Sequence, residues 1–238
     1  MSTVLITGGS RGLGKELCKA FKNNGYTVLF TYNKTNPTSD LDGCIGYQCD
    51  LSNEDNIKTL IKKIYDEYNI DVLINNAAIE NNKDFSSKTK MDFIRTLDVN
   101  LIAPFLLSKE IGSRMYINGT GKIINISSNN SINKYDPVTV DYDASKAGLN
   151  ILTKCLAKEY APFVKVNAIA PGWILTDKIK ELDDSLDNKF VEEESKNILV
   201  NRFASCEDIC NLALFLASDK ADYINSEIIR IDGGSINE

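Results

Sequence analysis

Short apolar runs rich in Val and Ile alternate along this chain with longer segments of helical period, and this alternation constrains the fold more than any other feature. Residues 4–7 read as a first strand and 12–24 as a helix with Leu13, Leu17, Ala20 and Phe21 on one face. Gly25 stands where that helix should stop. Further strands are expected at 26–32, 45–49, 71–75, 122–127, 164–170 and 228–231, and further helices at 53–68, 91–116 and 142–160. Residues 33–43 read as a polar loop containing Pro37. Strands alternating with helices of this length predict βαβ units and a parallel sheet. Right-handed crossovers then make a doubly wound α/β (Rossmann) sandwich, a single domain over 1–238. The acidic helical stretch 178–194 interrupts the path to the last strand. It predicts a helical excursion at 173–205, either a solvated surface helix or a substrate loop acting as a lid, since open α/β sheets bind ligands at strand ends.

Composition narrows the class. Of 238 residues 43% are hydrophobic, enough for a substantial core, and the net charge of −6 with pI near 4.9 disfavours nucleic acid and anionic membranes as partners. Only Val4-Leu5-Ile6 is apolar before Thr7, too short for a signal peptide or membrane span, so a cytoplasmic location is expected. Six cysteines lack any C-x-x-C spacing. Cys206 and Cys210 would share a helix face, but two thiols without a third ligand rarely hold a metal, and none is expected. There is no histidine, so acid/base work near neutral pH falls to Tyr, Lys, Cys or a carboxylate.

The first strand runs into Thr7-Gly8-Gly9-Ser10-Arg11-Gly12-Leu13-Gly14. Glycine permits a tight turn and close approach of backbone to ligand. The helix that follows offers free N–H groups and the positive end of its dipole to a pyrophosphate. A glycine pattern between an apolar strand and an amphipathic helix is the context a dinucleotide site requires. An NAD enzyme usually places Asp or Glu at the end of the second strand, to bind the ribose hydroxyls. No acidic residue lies between Glu16 and Asp40. The strand ends in Tyr32-Asn33-Lys34, and Arg11 lies in the glycine turn. Two cations and no carboxylate predict a site for the 2′-phosphate of NADP(H).

Tyr142-Asp143-Ala144-Ser145-Lys146 places a phenol and an ammonium four residues apart, on one face of a helix. A nearby cation favours the phenolate, which would make Tyr142 a usable proton donor and acceptor.

In this order the motifs resemble the short-chain dehydrogenase/reductase family over nearly the whole chain: Thr7-Gly8-x-x-x-Gly12-x-Gly14; Asp50-Leu51; Asn75-Asn76-Ala77-Ala78; Asn100; Ser127-Ser128; Tyr142-x-x-x-Lys146; Pro171-Gly172 with Thr176; and Asp232-Gly233-Gly234. Within that family the chain is most similar to the 3-oxoacyl-acyl-carrier-protein reductase group. The resemblance implies that Ser128 hydrogen-bonds the substrate carbonyl oxygen and Tyr142 passes it a proton. Lys146 would lower the tyrosine pKa and hold the nicotinamide ribose, and Asn100 would keep a water linking the lysine to solvent. Asp50, with Leu51 beside it, would contact adenine. Asn76 and Ala77 would line the ribose with their backbone, and Thr176, after Pro171-Gly172, would bind the carboxamide or a phosphate. It further implies a homotetramer, with helices 91–116 and 142–160 packing across a two-fold axis and the C-terminal strand meeting a partner near another dyad.

The chain departs from the family pattern in places. Ala78 replaces the usual glycine, and Ser128 and Tyr142 are fourteen positions apart. Ser127 is therefore a rival, although strand alternation from Ile124 and Ile126 puts Ser128 on the inward face. The stretches before the fifth and sixth strands, Asn118-Gly119-Thr120-Gly121 and Ala161-Pro162-Phe163, have only Lys122 and Lys165 nearby, which weakens the case for an acidic carrier protein. The expected activity is hydride transfer between NADP(H) and a small ketone or secondary alcohol. A 3-oxoacyl-carrier-protein reductase is the alternative, and a non-catalytic NADP(H) sensor a remote one. The substrate pocket would be lined by 129–141 and 173–200, whose sequence does not reveal its shape.

Overall fold

The computed structural model describes residues 2–34, 40–132, 135–187 and 189–236. Seven strands form one parallel sheet in the order β3-β2-β1-β4-β5-β6-β7. They are β1 (Thr3–Ile6), β2 (Thr27–Tyr32), β3 (Ile45–Gln48), β4 (Val72–Asn75), β5 (Gly121–Ile126), β6 (Val164–Pro171) and β7 (Ile228–Ile231). Strand order reverses between β1 and β4, so the C-terminal ends of these two strands open a crevice at the centre of the sheet.

The period-two pattern of each strand divides its side chains between two cores. Leu5, Leu29, Leu73, Ile123 and Val166 face α2 (Glu54–Tyr65), α4 (Ala103–Ile117) and α5 (Val140–Glu159). Val4, Ile6, Val28, Phe30, Ile74 and Ile124 face α1 (Gly12–Asn23) and α8 (Cys206–Ala217). The central strands β1, β4, β5 and β6 are buried on both faces, as continuous Val/Ile/Leu runs in a parallel sheet require. Each fully buried Leu or Ile contributes about 1.5–3 kcal/mol.

Two expectations change. Residues 91–116 are not one regular helix: α3 (Lys90–Leu97) passes through a π-helical turn at Asp98–Ile102 into α4. Pro104 explains part of this. It has no N–H to give the carbonyl of residue 100, so a regular ladder cannot run through this point. Asn100 thereby turns inward and is fully buried. The acidic stretch is also not one helix but two, α6 (Asp177–Ser185) and α7 (Phe190–Ser195).

The 173–205 excursion is pinched at its base. Leu175 N–H donates to the Ala204 carbonyl at 2.8 Å and Ala204 N–H to the Trp173 carbonyl at 2.9 Å. Trp173 stacks on Phe203 with centroids 5.7 Å apart, and Phe190 of α7 meets both edge-on. No helix among the described residues is long and apolar enough to cross a membrane. Residues 35–39, which include Pro37 of the polar loop, lie outside the described residues.

Candidate active site

The glycine turn caps β1 and is held by β2. Gly8 N–H donates to Thr31 Oγ1 at 3.1 Å and Gly9 N–H to the Thr31 carbonyl at 2.9 Å. Gly8 and Gly12 have φ of +69° and +52°, which L side chains rarely adopt. A Cβ on Gly12 would meet only Thr176, at 3.8 Å, so the glycine turn and the start of α6 lie side by side. Side chains of Asn53, Thr89 and Ser205 cap α2, α3 and α8, whereas the N-cap of α1, Arg11, makes no such bond and its first turn holds no acid. An uncapped, glycine-lined N-terminus fits a dinucleotide pyrophosphate in both shape and charge. Ser10 is half-buried and Arg11 exposed in the turn, Leu13 is part of the core, and Asn33 and Lys34 are exposed beyond β2.

Thr7, at the end of β1, ties this turn to β4. Its hydroxyl accepts from both Asn76 N–H and Ala77 N–H at 2.9 Å, and Asn76 Nδ2 donates to the Thr7 carbonyl at 2.9 Å. The amides of Asn76 and Ala77 are therefore engaged within the protein. Asp50 follows β3; its Oδ1 accepts from the Ser52 amide and hydroxyl at 3.0 and 2.7 Å, which hold the carboxyl below its usual range. Leu51 is buried in the core. Pro171 ends β6, and Gly172 packs so tightly on Asp232 that a Cβ would fall 2.8 Å from the Asp232 Cβ. That contact brings the Pro171-Gly172 and Asp232-Gly233-Gly234 motifs together.

The polar group near α5 lies beyond the end of β5. Tyr142 is in the first turn of α5, and Ser128 lies close enough to its phenol to work toward lowering the phenol pKa. Ser127 turns the other way, donating to Asn150 Oδ1 at 2.7 Å. The structure thus separates the two serines: Ser128 meets the tyrosine and Ser127 packs on the body of α5. Lys146 is buried, with Nζ 5.6 Å from the Tyr142 ring centroid and donating to the Ile126 carbonyl at 2.7 Å. Asn100 donates from Nδ2 to the Ile79 carbonyl at 2.9 Å and to Ser145 Oγ at 3.1 Å, and accepts from Ile79 N–H at 2.9 Å. Ser145 Oγ in turn donates to the Tyr142 carbonyl at 2.6 Å.

Burial pushes the Tyr142 phenol up, against the lowering effect of Ser128, with Glu80 and Asp143 adding to the rise. Burial also lowers the Lys146 ammonium to about 8. Desolvation of the phenol outweighs the lowering contribution of Ser128. The phenol of the ligand-free chain therefore holds its proton.

Sequence reading missed Ser145, which joins Asn100 to the Tyr142 backbone, although it stands within the Tyr-x-x-Ser-Lys run. It also missed Glu80, which reaches Lys178 of α6 at 3.4 Å across the cleft. No local pattern marks Glu80, because its partner is ninety-eight positions away. Among the described residues no group of three or more Cys, Asp or Glu side chains is placed to hold a metal.

A family model described as enoyl-(acyl carrier protein) reductase matches residues 8–235. The 3-oxoacyl-[acyl-carrier-protein] reductase of Aquifex aeolicus is 35% identical over 241 residues, covering 97% of this chain and 95% of that protein. A Beutenbergia cavernae structure described as an NAD(P)-dependent gluconate 5-dehydrogenase with bound NADP superposes with a TM-score of 0.89 at 30% identity, covering 98% of this chain and 96% of that one. A 4-hydroxyisoleucine dehydrogenase complexed with NADH does so with a TM-score of 0.85 at 29% identity, covering 98% of each chain. The nucleotide turn, the tyrosine and lysine beside it and these full-length matches lead to one conclusion: the chain belongs to the short-chain dehydrogenase/reductase family of NAD(P)-binding oxidoreductases, which transfer hydride between the nicotinamide and a carbonyl or alcohol carbon.

Proposed function

We propose that this chain is an NADP(H)-dependent reductase of small polar ketones, working reversibly on the matching secondary alcohols. The observation that carries the proposal is the meeting of Ser128 and Tyr142 over buried Lys146, at the same strand ends as the glycine turn. A bound nicotinamide supplies the hydride chemistry that no side chain here can provide.

The rest belongs to the protein. Tyr142, holding its proton, gives it to the carbonyl oxygen in reduction and takes it back in oxidation. Ser128 donates a hydrogen bond to the same oxygen. Lys146 places positive charge beneath the phenol, and its ammonium is the donor for a nicotinamide ribose. Asn100 has its side chain engaged by Ile79 and Ser145; its carbonyl, lacking the α-helical amide partner at Pro104, is the group to hold a relay water toward Lys146. On the cofactor side, Gly8, Ser10, Gly12, Leu13 and Gly14 would carry the pyrophosphate and Asp50 the adenine. Thr176 would hold the carboxamide or a phosphate. Preference for NADP(H) over NAD(H) rests on Arg11 and Lys34 and on the missing carboxylate at the end of β2.

Segment 173–205 serves as the lid over the substrate, with Lys178 bridging to Glu80 on the opposite rim. A small substrate is favoured over an acyl carrier protein, because the two cations nearest the expected docking surface are engaged. Lys122 is paired with Asp222, and Lys165 donates to the Pro162 carbonyl at 2.8 Å. The assembly we propose is a homotetramer. Ala144, Ala147, Ile151 and Cys155 form an exposed, small and apolar stripe on α5, with exposed Ile102 and Phe105 at the start of α4. NADPH oxidation against a panel of hydroxylated ketones, simple ketones and 3-oxoacyl thioesters tests the reading. Turnover of the first group is expected; turnover confined to the thioesters would favour the carrier-protein alternative, and none on any carbonyl would reject catalysis.

A further inference from the structure

Lys88 and Asp141 are buried against one another and take no part in the proton path. Their side chains are 6% and 0% exposed. Lys88 Nζ donates to Asp141 Oδ1, and to the Asn81 carbonyl at 2.5 Å. Asp141 Oδ2 accepts from Thr96 Oγ1 at 2.7 Å. The cluster therefore joins three elements: the segment after β4, helix α3 and the first turn of α5. Asp141 is the residue immediately before Tyr142.

The chemistry of the cluster is unusual for a structural contact. A buried ion pair seldom adds net stability over an apolar pair of the same shape, because both charges lose their water. Burial works to raise the Asp141 carboxyl, yet the hydrogen bonds from Lys88 and Thr96 outweigh it and hold the group below its usual range. The pair is thus anchored one residue before Tyr142, in the same turn of α5. The turn that carries Tyr142 is tied on its other side by the chain Ile79–Asn100–Ser145–Tyr142. Residues 79–81 are common to both ties.

We propose that the Lys88–Asp141 pair is a positioning device for Tyr142, pinning the first turn of α5 to the segment after β4 while keeping the buried charge beside the phenol at zero. The proposal rests on Tyr142 being the proton carrier. The other charges around the phenol have partners outside the pair. Lys146 lies on α5 itself, bonded to the Ile126 carbonyl. Asp143, also on α5, accepts from Asn130 Nδ2 at 2.9 Å and Thr139 Oγ1 at 3.2 Å. Glu80 of the segment after β4 is bridged to Lys178 of α6. Farther out, Asp92 of α3 accepts from Lys83 and Asn81.

The test compares Lys88→Met, Asp141→Asn and the double variant in the full chain. The readouts are the pH profile of kcat/KM for alcohol oxidation and NADPH affinity by fluorescence titration. Lys88→Met leaves a carboxylate unpaired, which disfavours the phenolate, so the acidic limb should move up by on the order of one pH unit. Asp141→Asn leaves an ammonium, so the limb should move down by a similar amount. The double variant has neither charge: its limb should return to within roughly 0.3 unit of the wild type, while kcat stays about tenfold low because the tie between the elements is gone. NADPH affinity should hold within about threefold throughout. A merely structural pair would not drive the two limbs in opposite directions. If one single variant fails to fold, the other decides, through the direction in which its limb moves relative to that of the double variant. Limbs that move together or stay fixed, or a double variant with wild-type kcat, would overturn the proposal. A wild type whose turnover survives Tyr142→Phe would instead overturn the reading beneath it, and the role of the pair with it.

Discussion

Gly14 lies directly beneath Gly8 in the nucleotide turn: a Cβ on residue 14 would fall 2.1 Å from the Gly8 carbonyl oxygen and 2.6 Å from Asn76 Nδ2. The close packing of α1 on β1 and β4 depends on this contact. Gly14→Ala must push the helix away or break the Asn76 hydrogen bonds to Thr7 and Gly8. Overpacking of this kind costs roughly 1–3 kcal/mol, and here the strain falls on the pyrophosphate cradle. NADPH affinity should drop at least tenfold, together with a lowered Tm; a variant with wild-type affinity would show that the turn does not hold the dinucleotide.

The proposed cofactor preference is tested at Arg11 and Lys34, both exposed. Wild type should bind NADPH more tightly than NADH in a fluorescence titration. Arg11→Ala should weaken NADPH about tenfold or more, the order expected for loss of a charge-assisted contact, and NADH much less. Equal affinities in the wild type would remove the claim while leaving the family assignment intact.

The order of strands and helices was legible because a parallel sheet buried on both faces writes itself as short Val/Ile runs. The glycine turn ahead of α1 and the placing of Tyr142 and Lys146 one turn apart on α5 were legible because local spacing sets both. The break at Asp98–Ile102 was obscured by continuous helical periodicity, although Pro104 was a signal for it. The direction of the Tyr142 pKa could not be read, because it depends on how deeply the phenol is buried and spacing says nothing of burial. The Lys88–Asp141 contact joins positions fifty-three apart, with no pattern linking them.

Assembly should reside in the apolar stripe of α5. Ile151 is 61% exposed at its centre, so Ile151→Glu places a charge in the proposed interface without disturbing the core. Light scattering at micromolar concentration should give a mass about four times 26.4 kDa for the wild type and a smaller assembly for the variant. A monomeric wild type would contradict the proposal.

Lys146 should leave a pH signature on stability. Its ammonium is lowered to about 8 in the folded chain, against an ordinary value of 10.5. Below pH 8 both states hold the proton, and the folded state bears the full cost of the buried charge. Between about 8 and 10.5 the folded chain has released the proton that the unfolded chain still binds, so the lysine's contribution to stability rises with pH, by at most roughly 1.4 kcal/mol per unit. The buried Tyr and Cys groups trend the opposite way at high pH, so the informative quantity is the Tm of wild type minus that of Lys146→Met. It should shift in favour of wild type as pH goes from 7 to 9.5; a flat difference would mean that Lys146 titrates normally.

The central claim is that Tyr142 carries the proton, and Tyr142→Phe tests it most directly, because the ring and its packing remain while the hydroxyl is lost. NADPH affinity and steady-state reduction of the best ketone from the panel should be measured on the same preparation. Affinity should stay close to wild type, and turnover should fall by at least roughly 10²–10⁴-fold, the usual worth of a positioned general acid. Near wild-type turnover in Tyr142→Phe would mean that the proton comes from another group, and would contradict the account even with the fold and the nucleotide site intact.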